Sequence, residues 1–161
     1  MRSGSKTLGL LVWMGVFVGF LCLGDESFRV GEVLSLPALK DGRGKPFEMR
    51  PGDFRVALLD TPGDRGEASP PKDPGWFEKN QVLMMVNISG LSGFKQRIAR
   101  SRMASKPFRL VVVDDTTLAA RFPKEPGRLT LMRLDGQGVI TEILFVAPGP
   151  PLQEAVAGTT P

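Results

Sequence analysis

The chain has 161 residues, of which 42% are hydrophobic and 24% charged, values that suit one globular domain and not two ordinary ones. Its formal net charge of +4 includes Arg2 and Lys6 near the N-terminus. The remainder is therefore only mildly basic, which gives little support to nucleic-acid binding. Histidine is absent and the single cysteine is Cys22, so the chain after it cannot build a zinc or transition-metal site on histidine or cysteine.

The N-terminal segment has the pattern of a secretory signal peptide. Arg2 and Lys6 precede the apolar run from Leu8 to Leu23, and Gly24 is a small residue suited to a cleavage site. We therefore expect a signal peptide over residues 1–24, with an uncleaved N-terminal membrane anchor as the alternative. The protein is expected to be periplasmic or secreted, or anchored in the inner membrane by its N-terminus if the segment is retained.

The chain after the leader is interpreted as one domain over residues 25–157, followed by a frayed tail over 158–161. Short apolar runs bounded by turn residues predict its strands. These runs are Val33 to Leu39, Pro46 to Met49, Arg55 to Asp60, Gln81 to Ile88, Arg109 to Asp115, Leu129 to Leu134 and Val139 to Phe145. Asp-Gly pairs at positions 41–42 and 135–136 predict that the first two and the last two runs form hairpins.

Helices are predicted between these strands. The stretch from Thr61 to Asp73 is rich in proline and glycine and excludes a long helix, so only a brief one is expected near Trp76, with Asp73 as its N-cap. The other three are Gly93 to Lys106 with Phe94 and Ile98 facing the core, Thr116 to Phe122 capped by Asp114 or Asp115, and Pro151 to Ala157. Alternating strands and helices indicate an α/β sandwich around a mixed central sheet.

Several of these segments resemble the redoxin (peroxiredoxin-like) branch of the thioredoxin superfamily. The run from Phe108 to Asp114, followed by Leu118 to Phe122, is similar to that family's third strand and the helix after it. The run from Leu131 to Ile140 resembles its closing hairpin, and Val30 to Pro37 its opening one. The periplasmic YtfJ-like proteins share this layout together with the leader. The resemblance implies a thioredoxin-like sandwich with an N-terminal β-hairpin, here with a truncated first helix.

The chain departs from the family where redox chemistry is performed. In redox-active members the cysteine follows the first central strand, a position that falls here in the cysteine-free stretch from Asp60 to Gly66. The family's cis-proline corresponds most closely to Pro126. Because disulfide exchange and peroxide reduction need a thiolate, the resemblance without the cysteine implies that redox catalysis is lost.

The loop after the first central strand is the candidate binding site, with Asp60, Thr61, Asp64 and Arg65 as its polar residues. Open α/β sheets bind ligands at this edge, although ordinary turn chemistry explains the same residue types. Asp60 with the pair at positions 114–115 has the oxygen atoms for a cation, but helix capping is the favoured interpretation of that pair. We expect no metal and no cofactor.

One predicted helix is strongly basic. Its cations are Lys95, Arg97, Arg100, Arg102 and Lys106. A solvated helix face is the favoured interpretation, and docking on anionic lipid or an acidic partner is the alternative. The aromatic pair Trp76 and Phe77 is expected to fill the space of the missing long helix.

The leading hypothesis is an extracytoplasmic thioredoxin-like domain without thiol redox activity that acts as a binding or accessory module. Its partner would be an unknown protein or small molecule, with no nucleic acid, and with a membrane only through an uncleaved N-terminus. One alternative is a non-redox enzyme that uses the polar loop residues. Another is a membrane-tethered interaction domain.

Overall fold

The computed structural model describes residues 26–61, 71 and 73–158. The predicted leader and the tail after Gly158 lie outside these residues. Within them the chain forms seven strands and four helices. The strands are β1 (Leu39–Asp41), β2 (Pro46–Phe47), β3 (Val56–Asp60), β4 (Val82–Asn87), β5 (Leu110–Val113), β6 (Leu129–Leu134) and β7 (Ile140–Val146). The helices are α1 (Trp76–Lys79), α2 (Gly93–Ala104), α3 (Thr116–Arg121) and α4 (Pro150–Ala157).

All seven strands belong to one mixed sheet in the order β2-β1-β5-β4-β3-β6-β7. The three inner strands β3, β4 and β5 are parallel, and antiparallel neighbours extend the sheet on both sides. β3 lies in the interior of the sheet, where Val56 pairs with Val82 of β4 and with Arg133 of β6. All its residues are buried, as the continuous apolar run predicts for a strand covered on both faces. The predicted α/β sandwich with a mixed central sheet is confirmed.

Alternate residues of β3 point into two separate hydrophobic cores. Ala57 and Leu59 pack in the core that includes Leu118 of α3 and the N-terminal segment. Val56 and Leu58 pack in the core that α1, α2 and α4 cover. The contribution of these three helices to that second core is Phe77, Met103, Leu152 and Val156.

Both predicted hairpins form, each around an aspartate that accepts backbone hydrogen bonds across its turn. Asp41 Oδ1 accepts from the amides of Arg43 and Lys45, both at 2.9 Å. Asp135 Oδ1 accepts from the amides of Gln137 and Val139 at 2.8 and 2.9 Å. This bonding is the local reason that Asp-Gly sequences fold into turns at these places.

The first helix is a single turn, as predicted, but its start differs from the prediction. Gly75 occupies the N-cap position, and the Asp73 side chain accepts a hydrogen bond from the Gly75 amide at 2.9 Å instead of capping the helix itself. Phe77 is buried and Trp76 is half-buried. The pair therefore fills part of the space that a long helix would occupy.

The prediction that Phe94 and Ile98 of α2 face the core is wrong. Phe94 is 71% exposed and Ile98 is 40% exposed, whereas Met103 is the one buried residue of the helix. Helical spacing shows which residues share a stripe, but it does not show whether a neighbouring element covers that stripe. Here the described part of the chain leaves most of α2 uncovered.

Among residues 26–61, 71 and 73–158, no helix combines the length and the apolar character needed to cross a bilayer.

Candidate functional site

Asp60, the first of the four predicted binding residues, is the last residue of β3 and pairs in register with Val86 of β4. It is buried, and it interacts with another residue of the chain. Thr61 follows it and is half-buried. Asp64 and Arg65 lie outside the described residues, so the grouping of all four residues stays a prediction.

The aspartates after β5 have structural partners. Asp115 Oδ1 accepts a hydrogen bond from the Leu118 amide at 2.7 Å and caps α3, and Asp114 forms an ion pair with Arg100 of α2. In the described part of the chain no cluster of three or more histidine, cysteine, aspartate or glutamate residues is placed to hold a metal ion. Capping, the favoured interpretation of this pair, is confirmed for Asp115.

The expectation that Pro126 is a cis-proline is wrong, because the described residues contain no cis peptide bond. Pro126 lies in a turn that the Arg128 amide closes by donating to the Glu125 carbonyl at 3.1 Å. Gly127 follows with φ of +71°. Proline in second place and a positive-φ glycine in third place are typical of a type II turn, which is built with a trans bond.

A pocket of about 280 Å³ lies between α2 and the face of the sheet that Leu58 helps to form. Its floor comes from the inner strands and from β6, through Leu58, Met84, Val86, Leu110 and Leu129. Asp60 lines the same pocket at the carboxyl end of β3. Apolar clefts with a few polar groups are the usual form of small-ligand sites, although 280 Å³ is at the small end of their range.

One stripe of α2 forms the wall of this pocket. Its six lining positions are Lys95, Ile98, Ala99, Arg102, Met103 and, just past the helix end, Lys106. Counted from Lys95, they follow the spacing i, i+3, i+4, i+7, i+8 and i+11, which places them on one side of a helix. Lys95, Arg102 and Lys106, three of the five cations predicted on this helix, therefore line the pocket. The prediction that the basic face is only solvated is thus incomplete.

Aromatic rings line the pocket beside α1. Phe77 and Phe108 both line it, and their ring centres are 4.4 Å apart. Trp76 packs edge-on against Phe77, with the ring centres 5.3 Å apart. The Phe77 ring thus lies between the indole of Trp76 and the pocket.

The helix α2 is fixed mainly near its ends. Near its start, the Gln96 side-chain amide donates to the carbonyls of Ile88 and Leu91 at 3.3 and 3.1 Å. At its end, Met103 lies against Gly42 in the β1–β2 turn. Between these points Ile98 is part exposed and lines the pocket.

Sequence reasoning identified Asp60 but missed the pocket beside it. The signal was present in the spacing of positions 95, 98, 99, 102, 103 and 106, which interleaves apolar and basic residues on one helical stripe. That stripe indicates a pocket only when the other helix that lines it is known to be short, and α1 has four residues. Chemically, the mainly apolar lining suits the binding of an apolar group.

No protein-family model and no curated protein matches the chain. Solved structures do match it. A thio-disulfide isomerase from Thermus thermophilus is 20% identical with a TM-score of 0.50, over 80% of this chain and 95% of that one. A peroxiredoxin-like protein from Aquifex aeolicus is 11% identical with a TM-score of 0.50, over 82% of this chain and 88% of that one. At such low identity the likeness establishes architecture and not activity. Together with the strand order and the central position of β3, it shows that this chain has a thioredoxin-like fold.

Proposed function

We propose that this protein is an extracytoplasmic thioredoxin-like binding module without thiol redox activity. The observation that carries the proposal is the position of the only cysteine. Cys22 lies in the apolar leader, and the first central strand ends instead in Asp60, with Thr61 directly after it. Thiol–disulfide exchange proceeds through a thiolate that attacks a disulfide sulfur, and neither residue provides that nucleophile.

The pocket under α2 supports the binding half of the proposal. It is lined mainly by apolar side chains, and it extends across the sheet face as far as Asp60 at the carboxyl end of β3, the edge where open α/β sheets bind ligands. Among the described residues, the single-turn helix α1 covers only part of this face of the sheet. A site of this kind binds by burying apolar surface, which needs no reactive group.

The extracytoplasmic location is supported by the sequence of residues 1–24, with its two cations, apolar run and terminal glycine. N-terminal sequencing of the protein recovered from the periplasm or medium tests this part. A chain that begins at Asp25 is expected. Recovery of the intact chain from the cytoplasm alone contradicts it.

The redox half is tested by insulin reduction with dithiothreitol and by peroxide consumption with a reductant. We expect rates equal to those of the heat-denatured protein. The assay is run on the full-length chain with its leader retained as well as on the chain from Asp25, and Cys22→Ser is the matched control for the full-length chain, because it removes the only thiol. Turnover in the wild type that this variant loses would overturn the proposal.

The binding half is tested with the apolar dye anilinonaphthalene sulfonate, with and without phenylalanine placed in the pocket. Ala99 lines the pocket, whereas Ala104 is exposed at the end of the same helix. We expect Ala99→Phe to reduce dye fluorescence because the ring occupies the pocket, and Ala104→Phe to leave it unchanged. Equal signals from both variants, with unchanged melting temperatures, would reject the pocket as the binding site.

A further inference from the structure

The side of α2 that faces away from the sheet carries exposed apolar side chains. Phe94 and Ile98 are both exposed and are four residues apart, so they form one stripe, here called the outer stripe. Met103, the buried residue of α2, comes nine positions after Phe94, which is about two and a half helical turns. Because Met103 packs in the core against the sheet, the Phe94 ring points away from the protein.

Two cations border the outer stripe, one on each side. A helix turns by about 100° per residue, which places Lys95 on one side of the stripe and Arg97 on the other. Both side chains are exposed. Within the described part of the chain, neither side chain forms an ion pair or a hydrogen bond. An apolar centre with an uncompensated positive charge on each side is therefore presented to the surroundings.

The other cations of this segment already have partners in the chain. Arg100 pairs with Asp114, and Arg102 and Lys106 each interact with another residue. These three side chains therefore add nothing to the free charge of the helix. The sequence of α2 contains no acidic residue that could neutralise Lys95 or Arg97.

We propose that the outer stripe of α2 docks on an anionic phospholipid surface. The Phe94 ring enters the boundary between headgroups and acyl chains, and the Lys95 and Arg97 side chains contact the headgroups. Helices that lie in this boundary combine an apolar side with lysine and arginine beside it. The long stems of both cations allow their charged ends to stay among the headgroups while the ring is buried. The pocket lies beneath α2 and the stripe on its outer side, so this inference goes beyond the proposed binding function.

The size and the charge of this surface favour lipid over a protein partner. The other large hydrophobic residues exposed in the described chain are Val30 and Val33, and their segment packs in the opposite core. The exposed apolar surface on α2 is thus limited to two large side chains, whereas a stable protein interface buries roughly 1,200 Å² or more. In a two-fold contact with a second copy, the same patch would meet itself and set Lys95 and Arg97 against like charges.

The test places a fluorescent label on the outer side of α2 in the exported protein. Cys22→Ser removes the only thiol, so Ser101→Cys in that background takes a single nitrobenzoxadiazole label. Ser101 is exposed and lies seven residues after Phe94 on the same side of the helix, so labelling it leaves the outer stripe intact. Gln137→Cys, in the exposed turn between β6 and β7, is the matched label position.

We expect phosphatidylglycerol vesicles to raise and blue-shift the emission of the label at position 101 in a saturable way. Phosphatidylcholine vesicles should bind at least about tenfold more weakly, because they offer no net negative charge to the two cations. The label at position 137 should not respond to either lipid. Since each label reports on its own position, a retained leader does not produce this difference.

One pair of variants tests the ring. Phe94→Ser is expected to raise the phosphatidylglycerol concentration needed for half of the response at least about tenfold, because no aromatic surface leaves water. Val30→Ser removes an exposed apolar side chain from the segment on the other side of the sheet and should respond as the wild type does. Melting temperatures verify that both variants are folded.

A second pair tests the charges. Lys95→Gln/Arg97→Gln is expected to weaken the response to phosphatidylglycerol vesicles about tenfold or more. Lys40→Gln/Lys124→Gln removes the same charge from exposed positions outside α2 and should respond as the wild type does. High salt should weaken the wild-type response by screening the same two cations.

Other outcomes overturn the proposal in distinct ways. Equal responses to the two lipids mean that charge does not select the surface. Equal responses of the two label positions mean that the protein adsorbs without using α2. Self-association that Phe94→Ser abolishes, without a response to vesicles, identifies a second copy. A response to a blocked acidic amphipathic peptide, again without one to vesicles, identifies a protein partner.

The variants also separate this inference from the proposed function. Ala99→Phe fills the pocket beneath α2 and should leave the response to vesicles unchanged, because Ala99 lies on the pocket side of the helix. Loss of the response in this variant, with an unchanged melting temperature, would mean that the pocket and not the outer stripe meets the lipid, and it would overturn the inference.

Discussion

Gly42 in the turn between β1 and β2 lies against Met103 near the end of α2. A Cβ atom on Gly42 would be 3.0 Å from the Met103 Cβ and 3.2 Å from its backbone carbonyl carbon and oxygen. Met103 is also the buried residue of α2 and lines the pocket. This close approach therefore sets the distance between the helix end and the edge of the sheet.

We expect Gly42→Ala to lower the free energy of unfolding by about 1–3 kcal/mol, because the added methyl group meets backbone as well as side-chain atoms. Denaturant unfolding measures the loss. Gly90→Ala is the control, since a Cβ there meets nothing within 4 Å and the residue has no positive φ. Its effect should stay within about 0.5 kcal/mol. Equal stabilities of the two variants would show that the contact imposes no constraint.

The neighbouring aspartates after β5 are expected to differ in their effect on stability. Asp115→Ala removes the N-cap bond to the Leu118 amide and should cost about 1 kcal/mol. Asp114→Ala breaks the ion pair with Arg100. Because the side chains of Arg100 and Asp114 are 36% and 48% exposed, this loss should cost less than about 0.5 kcal/mol. Thermal unfolding at low and moderate salt measures both. A larger cost at Asp114 would reverse this assignment.

The strands of this fold are predictable because a buried strand needs a continuous apolar run. Arg55 to Asp60 was predicted and Val56–Asp60 is observed, a difference of one residue at the start. The hairpin turns were predictable for an equally local reason, since Asp41 and Asp135 bond to the amides that follow them. The cause of each of these features lies within a few residues, and the sequence alone was enough to predict them.

Features that depend on a distant neighbour were not recovered. Phe94 and Ile98 have core spacing, yet both are exposed because α2 is covered by too little of the described chain. The pocket was missed for the same reason, since it depends on how far α2 stands from β3 and β4. The expectation of a cis bond at Pro126 failed for another reason: it was carried over from the family resemblance, whereas Pro126 lies in a local turn between Glu125 and Arg128 with a trans bond.

The stability of the protein is expected to depend on pH through Asp73. The hydrogen bond from Lys79 Nζ, at 2.9 Å, lowers the pKa of Asp73 below its ordinary 3.8, and the bond from the Gly75 amide adds to this. A carboxyl group whose folded pKa is depressed stabilises the fold above its unfolded pKa. That contribution is lost as the pH falls through the folded pKa.

Unfolding free energies between about pH 6 and about pH 2 test this dependence. The difference between wild type and Asp73→Asn should be largest at the upper end of the range and shrink toward the lower end. Lys79→Met should remove most of the same dependence, because it removes the largest cause of the shift. Lys124→Met, an exposed lysine elsewhere, should retain it. Parallel pH profiles for wild type and Asp73→Asn would contradict the linkage.

Gln81, just before β4, has a φ of +49°, a left-handed conformation that costs an L-residue about 1–2 kcal/mol. The geometry is maintained because its carbonyl accepts from the Arg55 amide at 2.9 Å and its own amide donates to the Glu78 carbonyl at 3.1 Å. Its side chain is exposed, so Gln81→Gly should raise the unfolding free energy by about 0.5–1 kcal/mol. Gln137→Gly, at an exposed turn position without positive φ, should bring no gain. Destabilisation by both substitutions would mean that the Gln81 side chain contributes more than its backbone strain removes.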